Sequence, residues 1–153
     1  MSRFERDTIK RQIKQLGDAV AALVLRAKAE ADYDTGLEAV RNRAQDGLGI
    51  DYALLGRLAP DSAAMLLRDG EVVGTYAWIT AEEASLEQAA GRTDEAARLR
   101  CRAAELYVEA AQLDRSGEAE CRAAIAELDV RAEDLGPRYR AWLDRAEGGS
   151  AGA

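Results

Sequence analysis

Two stretches of this chain, 60 residues apart, read as the same local event. Ala31-Asp32-Tyr33-Asp34-Thr35-Gly36-Leu37-Glu38-Ala39 follows a long alanine-rich amphipathic run, and so does Gly91-Arg92-Thr93-Asp94-Glu95-Ala96-Ala97-Arg98-Leu99. A helical pattern comes after each. A helix–turn–helix unit made twice constrains the fold strongly, because such a unit cannot bury its apolar face alone and does so by stacking on its neighbours. The expected fold is therefore all-α, and the expected role is a binding surface rather than a reaction centre.

The rest of the chain agrees with helices. Only two prolines occur, Pro60 and Pro137, and alanine, the best helix former, is abundant. Ile9, Ile13, Leu16, Val20, Leu23 and Ala27 alternate four and three apart and predict one long helix over residues 5–30, with Phe4 closing the stripe. Asp34 is a candidate N-cap for a second helix whose inner face is Leu37, Val40 and Ala44 and which Gly47 and Gly49 end. Residues 51–69 look different. Asp51 opens a short helix through Leu58, Pro60 breaks it, and Asp61 or Ser62 caps another carrying Met65 and Leu66. After the Asp69-Gly70 turn, Val72, Tyr76, Ile79, Leu86 and Ala90 give a further stripe that Glu83 interrupts. A short strand over residues 72–76 is the alternative there. Ala96, Leu99, Ala103, Leu106, Ala110 and Leu113 mark the next helix. Cys121, Ile125, Leu128, Ala132 and Leu135 mark another, and Tyr139, Trp142 and Leu143 the last.

The two nine-residue motifs resemble the turn and second helix of tetratricopeptide repeats. Asp32-Tyr33-Asp34 lies close to that consensus, and Val20, Leu23, Val24 and Ala27 fall where the family packs its first helix. Gly36 departs from it, since alanine stands there in the family. The second copy has Gly91 and Ala96 in place, but its first helix fits only with a residue inserted in the turn, which puts Glu83 at a packing position. The whole also resembles a bacterial family with two degenerate repeats separated by a short linker. The resemblance covers about residues 4–114 and implies a right-handed stack of helical hairpins with about seven helices. The division expected is one domain over 1–147, with a hairpin at 4–50, a short-helix linker at 51–70, a hairpin at 71–114 and a helical pair at 115–147. A flexible tail is expected at 148–153. The resemblance also implies a concave face lined by Ala21, Leu25 and Lys28 in the first unit and by Trp78, Ala81, Ser85 and Gln88 in the second. Leu25, Lys28, Trp78, Ser85 and Gln88 are the candidate partner-binding residues.

Composition excludes several chemistries. The chain of 153 residues has no histidine, which removes the commonest general base and the usual zinc and di-iron ligands. No metal site and no cofactor is expected. A net charge of −7 disfavours phosphate backbones, so nucleic acid is not an expected partner. Arginine outnumbers lysine 18 to 3, a bias of GC-rich bacterial coding. No run is long and apolar enough to span a membrane. The N-terminus lacks the order of a secretory signal, so a cytoplasmic protein is expected. Cys101 and Cys121 are expected as small, buried helix-face residues, without a disulfide.

Carboxylates cluster at Glu82, Glu83 and Glu87 and again at Glu105 and Glu109. Nearby arginines make most of these a solvated surface. Glu83 alone faces inward and requires a cation or a raised pKa. Arg98 and Arg102 are neighbours on one helix face, whereas Arg100 is not. The leading expectation is a non-catalytic module that binds a partner helix or peptide in a groove between hairpins, with Trp78 and Leu25 as apolar anchors. A self-associating block, such as a homodimer, is the alternative. A carboxylate-only enzyme comes third.

Overall fold

The computed structural model describes the backbone of residues 2–152 and the side chains of residues 2–145. The tail expected at 148–153 lies outside the described side chains. The fold is all-α. Eight helices and two short 3-10 turns make up the described chain: α1 Arg3–Glu30, α2 Tyr33–Leu48, α3 Tyr52–Arg57, α4 Pro60–Leu67, α5 Gly70–Ala89, α6 Thr93–Leu113, α7 Glu118–Glu127 and α8 Pro137–Gly152. Residues 72–76, open to a strand reading from sequence, lie within α5.

The two repeated motifs form the same turn. At the end of α1 the Ala31 amide donates to Lys28 and the Asp32 amide to Ala27. Sixty residues on, Gly91 donates to Gln88 and Arg92 to Glu87. Both turns place one residue in the left-handed region, Ala31 at φ 52° and Gly91 at φ 84°. The bond patterns match, although α5 ends at Ala89, so three residues join α5 to α6 where two join α1 to α2. In the first turn Gly36 is demanded by packing: a Cβ there would lie 2.4 Å from the Ala27 Cβ. Gly47, further along α2, similarly leaves room for Leu16, whose Cδ1 a Cβ would meet at 2.7 Å. The absent side chains at these two positions let α1 and α2 approach closely.

α5 is the axis of the molecule. It packs on α1, α2, α4 and α6 and buries Val73, Tyr76, Ala77, Ile79, Thr80, Glu83, Ala84, Leu86 and Glu87. A helix covered on so many sides has no single apolar stripe, which explains why Val73 rather than Val72 is inside. The core continues through Leu16, Val20, Val24 and Ala27 of α1, Leu37, Val40 and Ala44 of α2, and Ala96, Leu99, Ala103, Leu106 and Ala110 of α6.

Several local expectations are corrected. α1 begins two residues before the expected start because Ser2 and Glu5 form a capping box, and Phe4 is 80% exposed instead of closing the stripe. Asp32, not Asp34, precedes α2. Pro60 opens α4 at its first turn, where its missing amide costs nothing, and neither Asp61 nor Ser62 is the cap. On α4 the buried residues are Ala63 and Ala64, while Met65 and Leu66 face solvent. Leu113 at the end of α6 is also exposed. Asp69 caps α5, accepting from the Glu71 and Val72 amides.

Candidate functional site

Two of the concavities beside α5 gather candidate residues. The larger, about 790 Å³, is a groove walled by α1, α5 and the turn into α7. α1 contributes Ile13, Lys14, Gly17, Asp18 and Ala21, and α5 contributes Gly74, Thr75 and Trp78. Tyr107 and Ala110 of α6 close its floor, and Glu120, Cys121 and Ala124 of α7 form the far wall. Its α1 side is ion-paired: Lys14 meets Asp18 at 3.3 Å, and Arg6 and Lys10 approach Glu71 at 3.7 and 3.8 Å. Asp114 and Glu120 on the opposite wall have no ion pair among the described residues. Hydrogen bonds from Ser116 hold the Asp114 carboxyl below the usual range, so it is charged at neutral pH. Burial pushes the Cys121 thiol up to about 11, which keeps it protonated and unreactive. Both cysteines are unpaired; Cys121 is buried as expected, and Cys101 only partly so.

The second concavity, about 430 Å³, is a polar cleft between α2, α3, α5 and α6. Glu83 sits in it, 5% exposed. The Tyr52 hydroxyl donates to Glu83 Oε1 and Arg41 Nε donates to Oε2 at 3.1 Å. Burial raises the Glu83 pKa, and the bonds from Tyr52 and Arg41 oppose that rise without cancelling it. The expected inward carboxylate thus has both a cationic partner and a raised pKa. Both its oxygens accept from the chain, so it ties α2, α3 and α5 together. Arg102 donates to the carbonyls of Leu58 and Leu55 at 2.7 and 2.9 Å and to the Tyr76 hydroxyl at 2.8 Å. The rings of Tyr52 and Tyr76 meet edge to face at 5.8 Å.

Two further carboxylates expected at the surface are buried instead. Glu87 is paired with Arg92 at 2.8 Å, and Arg92 also reaches Asp34 of α2. Glu109 accepts from Arg138 and from the Tyr139 hydroxyl of α8. With Trp142, which lies under the Arg122 guanidinium at 3.7 Å, these contacts dock α8 on α6 and α7. Tyr139 and Trp142 therefore do not cover the groove, whose far wall is α7.

The candidate binding residues fall in different places. Trp78 is half-buried and lines the groove, as does Ala21. Leu25 is 73% exposed and is not part of the groove lining. Lys28 donates to Ser85, bridging α1 and α5 away from the lining. Gln88 is exposed and accepts from Arg100 at 3.2 Å. Sequence reasoning missed Gly17, which lines the groove and where an added Cβ would meet nothing within 4 Å. It also missed Arg41, Arg57 and Tyr52, which nothing in the local pattern joins to Arg98 and Arg102. Among the described residues no cluster of three or more carboxylates and thiols is arranged to hold a metal ion, and no helix is long and apolar enough to cross a membrane. No family model matches the chain, and neither a curated protein nor a solved structure does.

Proposed function

We propose that this chain is a non-catalytic interaction module, built on two tetratricopeptide-like hairpins, whose groove between α1, α5 and α7 receives an amphipathic helix from a protein partner. Trp78 carries the reading. Its indole is partly buried against the core and forms part of the wall of a groove of about 790 Å³. Tryptophan at such a place is the residue type that most often anchors a partner. The matching turns of the two hairpins support the repeat reading, and two unpaired thiols fit a cytoplasmic setting.

The groove has room for a row of side chains but not for a helix of about 10 Å diameter, which would lie along it. The small residues along its walls, Gly17, Ala21, Gly74 and Ala124, leave room for apolar side chains, and Asp114 and Glu120 favour a basic edge on the far side. The occupant is thus an apolar stripe flanked by lysine or arginine.

The test uses a labelled helical peptide with leucines at 3-4 spacing and lysines beside them, followed by anisotropy. Wild type should bind it better than the same peptide with glutamates. Trp78→Ala should weaken binding. Gly17→Leu should block it without harming the fold, because a Cβ at Gly17 meets nothing within 4 Å. Equal binding of the glutamate peptide, or full affinity in both variants, would overturn the proposal. Should sedimentation instead show a dimer that Gly17→Leu dissociates, the occupant is a second copy of this chain.

A further inference from the structure

The polar cleft on the other side of α5 has a charge imbalance that its internal bonds do not explain. Four arginines line it, Arg41, Arg57, Arg98 and Arg102, against two carboxylates, Glu83 and Glu95. This local excess of positive charge stands in a chain whose net charge is −7. Arg41 is matched by Glu83, and Arg98 by Glu95 at 2.6 Å. Arg57 and Arg102 have no carboxylate partner among the described residues.

Arg102 shows how the excess is held. Its three hydrogen bonds go to two carbonyls and one tyrosine hydroxyl, all neutral acceptors. The carbonyls at the end of α3 offset part of its charge. Its guanidinium also sits 5.6 Å from the centroid of the Tyr76 ring. It is fixed in orientation, yet a guanidinium carries five N–H donors, and these bonds leave two. The Tyr76 hydroxyl accepts from Arg102 and keeps its own proton for a further acceptor. A concave site lined by excess cationic charge focuses its field on anions. Planar forks arranged in this way recognise carboxylate and phosphate oxygens through paired bonds.

We propose that the cleft between α2, α3, α5 and α6 binds a small, multiply charged oxyanion, a phosphate ester or a polycarboxylate, through Arg57, Arg98 and Arg102 with the Tyr76 hydroxyl. A volume of about 430 Å³ suits a metabolite-sized ligand. Arg102 supplies the fixed cation at the floor. Arg57 and Arg98, both exposed, close on the ligand from the rim. The site is independent of the groove, because none of these residues lines it.

The experiment titrates inorganic pyrophosphate and citrate in separate arms by calorimetry, with sodium chloride at matched ionic strength as the control. Saturable binding of one equivalent is expected in at least one arm, with a rise in melting temperature as ligand saturates the folded state. Tighter pyrophosphate binding assigns a phosphate ester, and tighter citrate binding assigns a polycarboxylate. Arg102→Ala risks the fold, since Arg102 holds the end of α3, so the diagnostic variant is Arg57→Ala with Arg98→Ala. That double variant should keep the wild-type circular dichroism and bind about tenfold more weakly or worse. Gly17→Leu should bind the anion as wild type does. No saturable binding in either arm, or an affinity unchanged in the double variant, would overturn the proposal.

Discussion

Glu83 is a buried carboxylate whose two oxygens accept from Tyr52 and Arg41. A carboxylate interrupting an apolar stripe pointed inward from sequence alone, and it is inside. Burial raises its pKa in the folded chain above the ordinary carboxylate value. The folded state therefore holds a proton that the unfolded state releases. Its stabilising contribution is full below the ordinary carboxylate value and is lost as pH rises through the raised one. The difference in unfolding free energy between wild type and Glu83→Gln should accordingly move against wild type as pH rises through that window. A difference flat with pH would show that Glu83 titrates normally. Glycines give a second test. Gly36→Ala should cost about 1–3 kcal/mol, because its Cβ would collide with Ala27 and the helices cannot part without strain. Gly17→Ala, opening onto free space, should stabilise by about 0.5–1 kcal/mol. Chemical denaturation separates the two signs. The glycine in α2 looked like a departure from the repeat pattern in sequence; the distance to Ala27 makes it a requirement of the packing.

At the level of elements, what was legible followed periodicity, and what was missed followed neighbours. The inner face of α2 was readable because that helix has one dominant buried side, whereas α6 keeps the stripe that was read and also buries Ala104, Tyr107, Val108 and Ala111. α5 was read one residue out of phase at Val72 because four helices surround it and no single stripe survives. On α4 the residues fully buried against α5 and α6 are Ala63 and Ala64, with Leu67 partly buried beside them, while Met65 and Leu66 point outward. The buried state of Glu87 and Glu109 could not be read, because Arg92 and Arg138 reach them from outside their own helices. α1 should depend on its middle: Leu16→Ala is expected to cost about 2–5 kcal/mol, a measurement that fails the packing account if the variant melts with wild type. α8 should depend on Trp142. Replacing it by alanine is expected to cost about 3–5 kcal/mol, and an unchanged denaturation midpoint would mean that α8 contributes nothing to the fold.

For the whole molecule, α5 sets the order of stability. Amides along it should exchange last in a hydrogen-exchange experiment, and those of residues 3–12, where α1 is mostly exposed, should exchange early. Early exchange at the centre of α5 would contradict its place as the axis. The candidate sites were legible only in part, since Trp78 stood out as an off-stripe indole while the arginine cleft assembles from four separate segments. The placement of the two tryptophans has an optical consequence. Trp142 is buried beneath a guanidinium, and Trp78 looks into the groove. Once Trp142→Phe removes the first, the remaining fluorescence comes from a single indole at the wall of that groove. Its emission should lie between those of a buried and a fully hydrated indole and shift to shorter wavelength when an apolar side chain displaces water beside it. The chain thus carries its own spectroscopic probe of the surface proposed to meet a partner, with no label to attach.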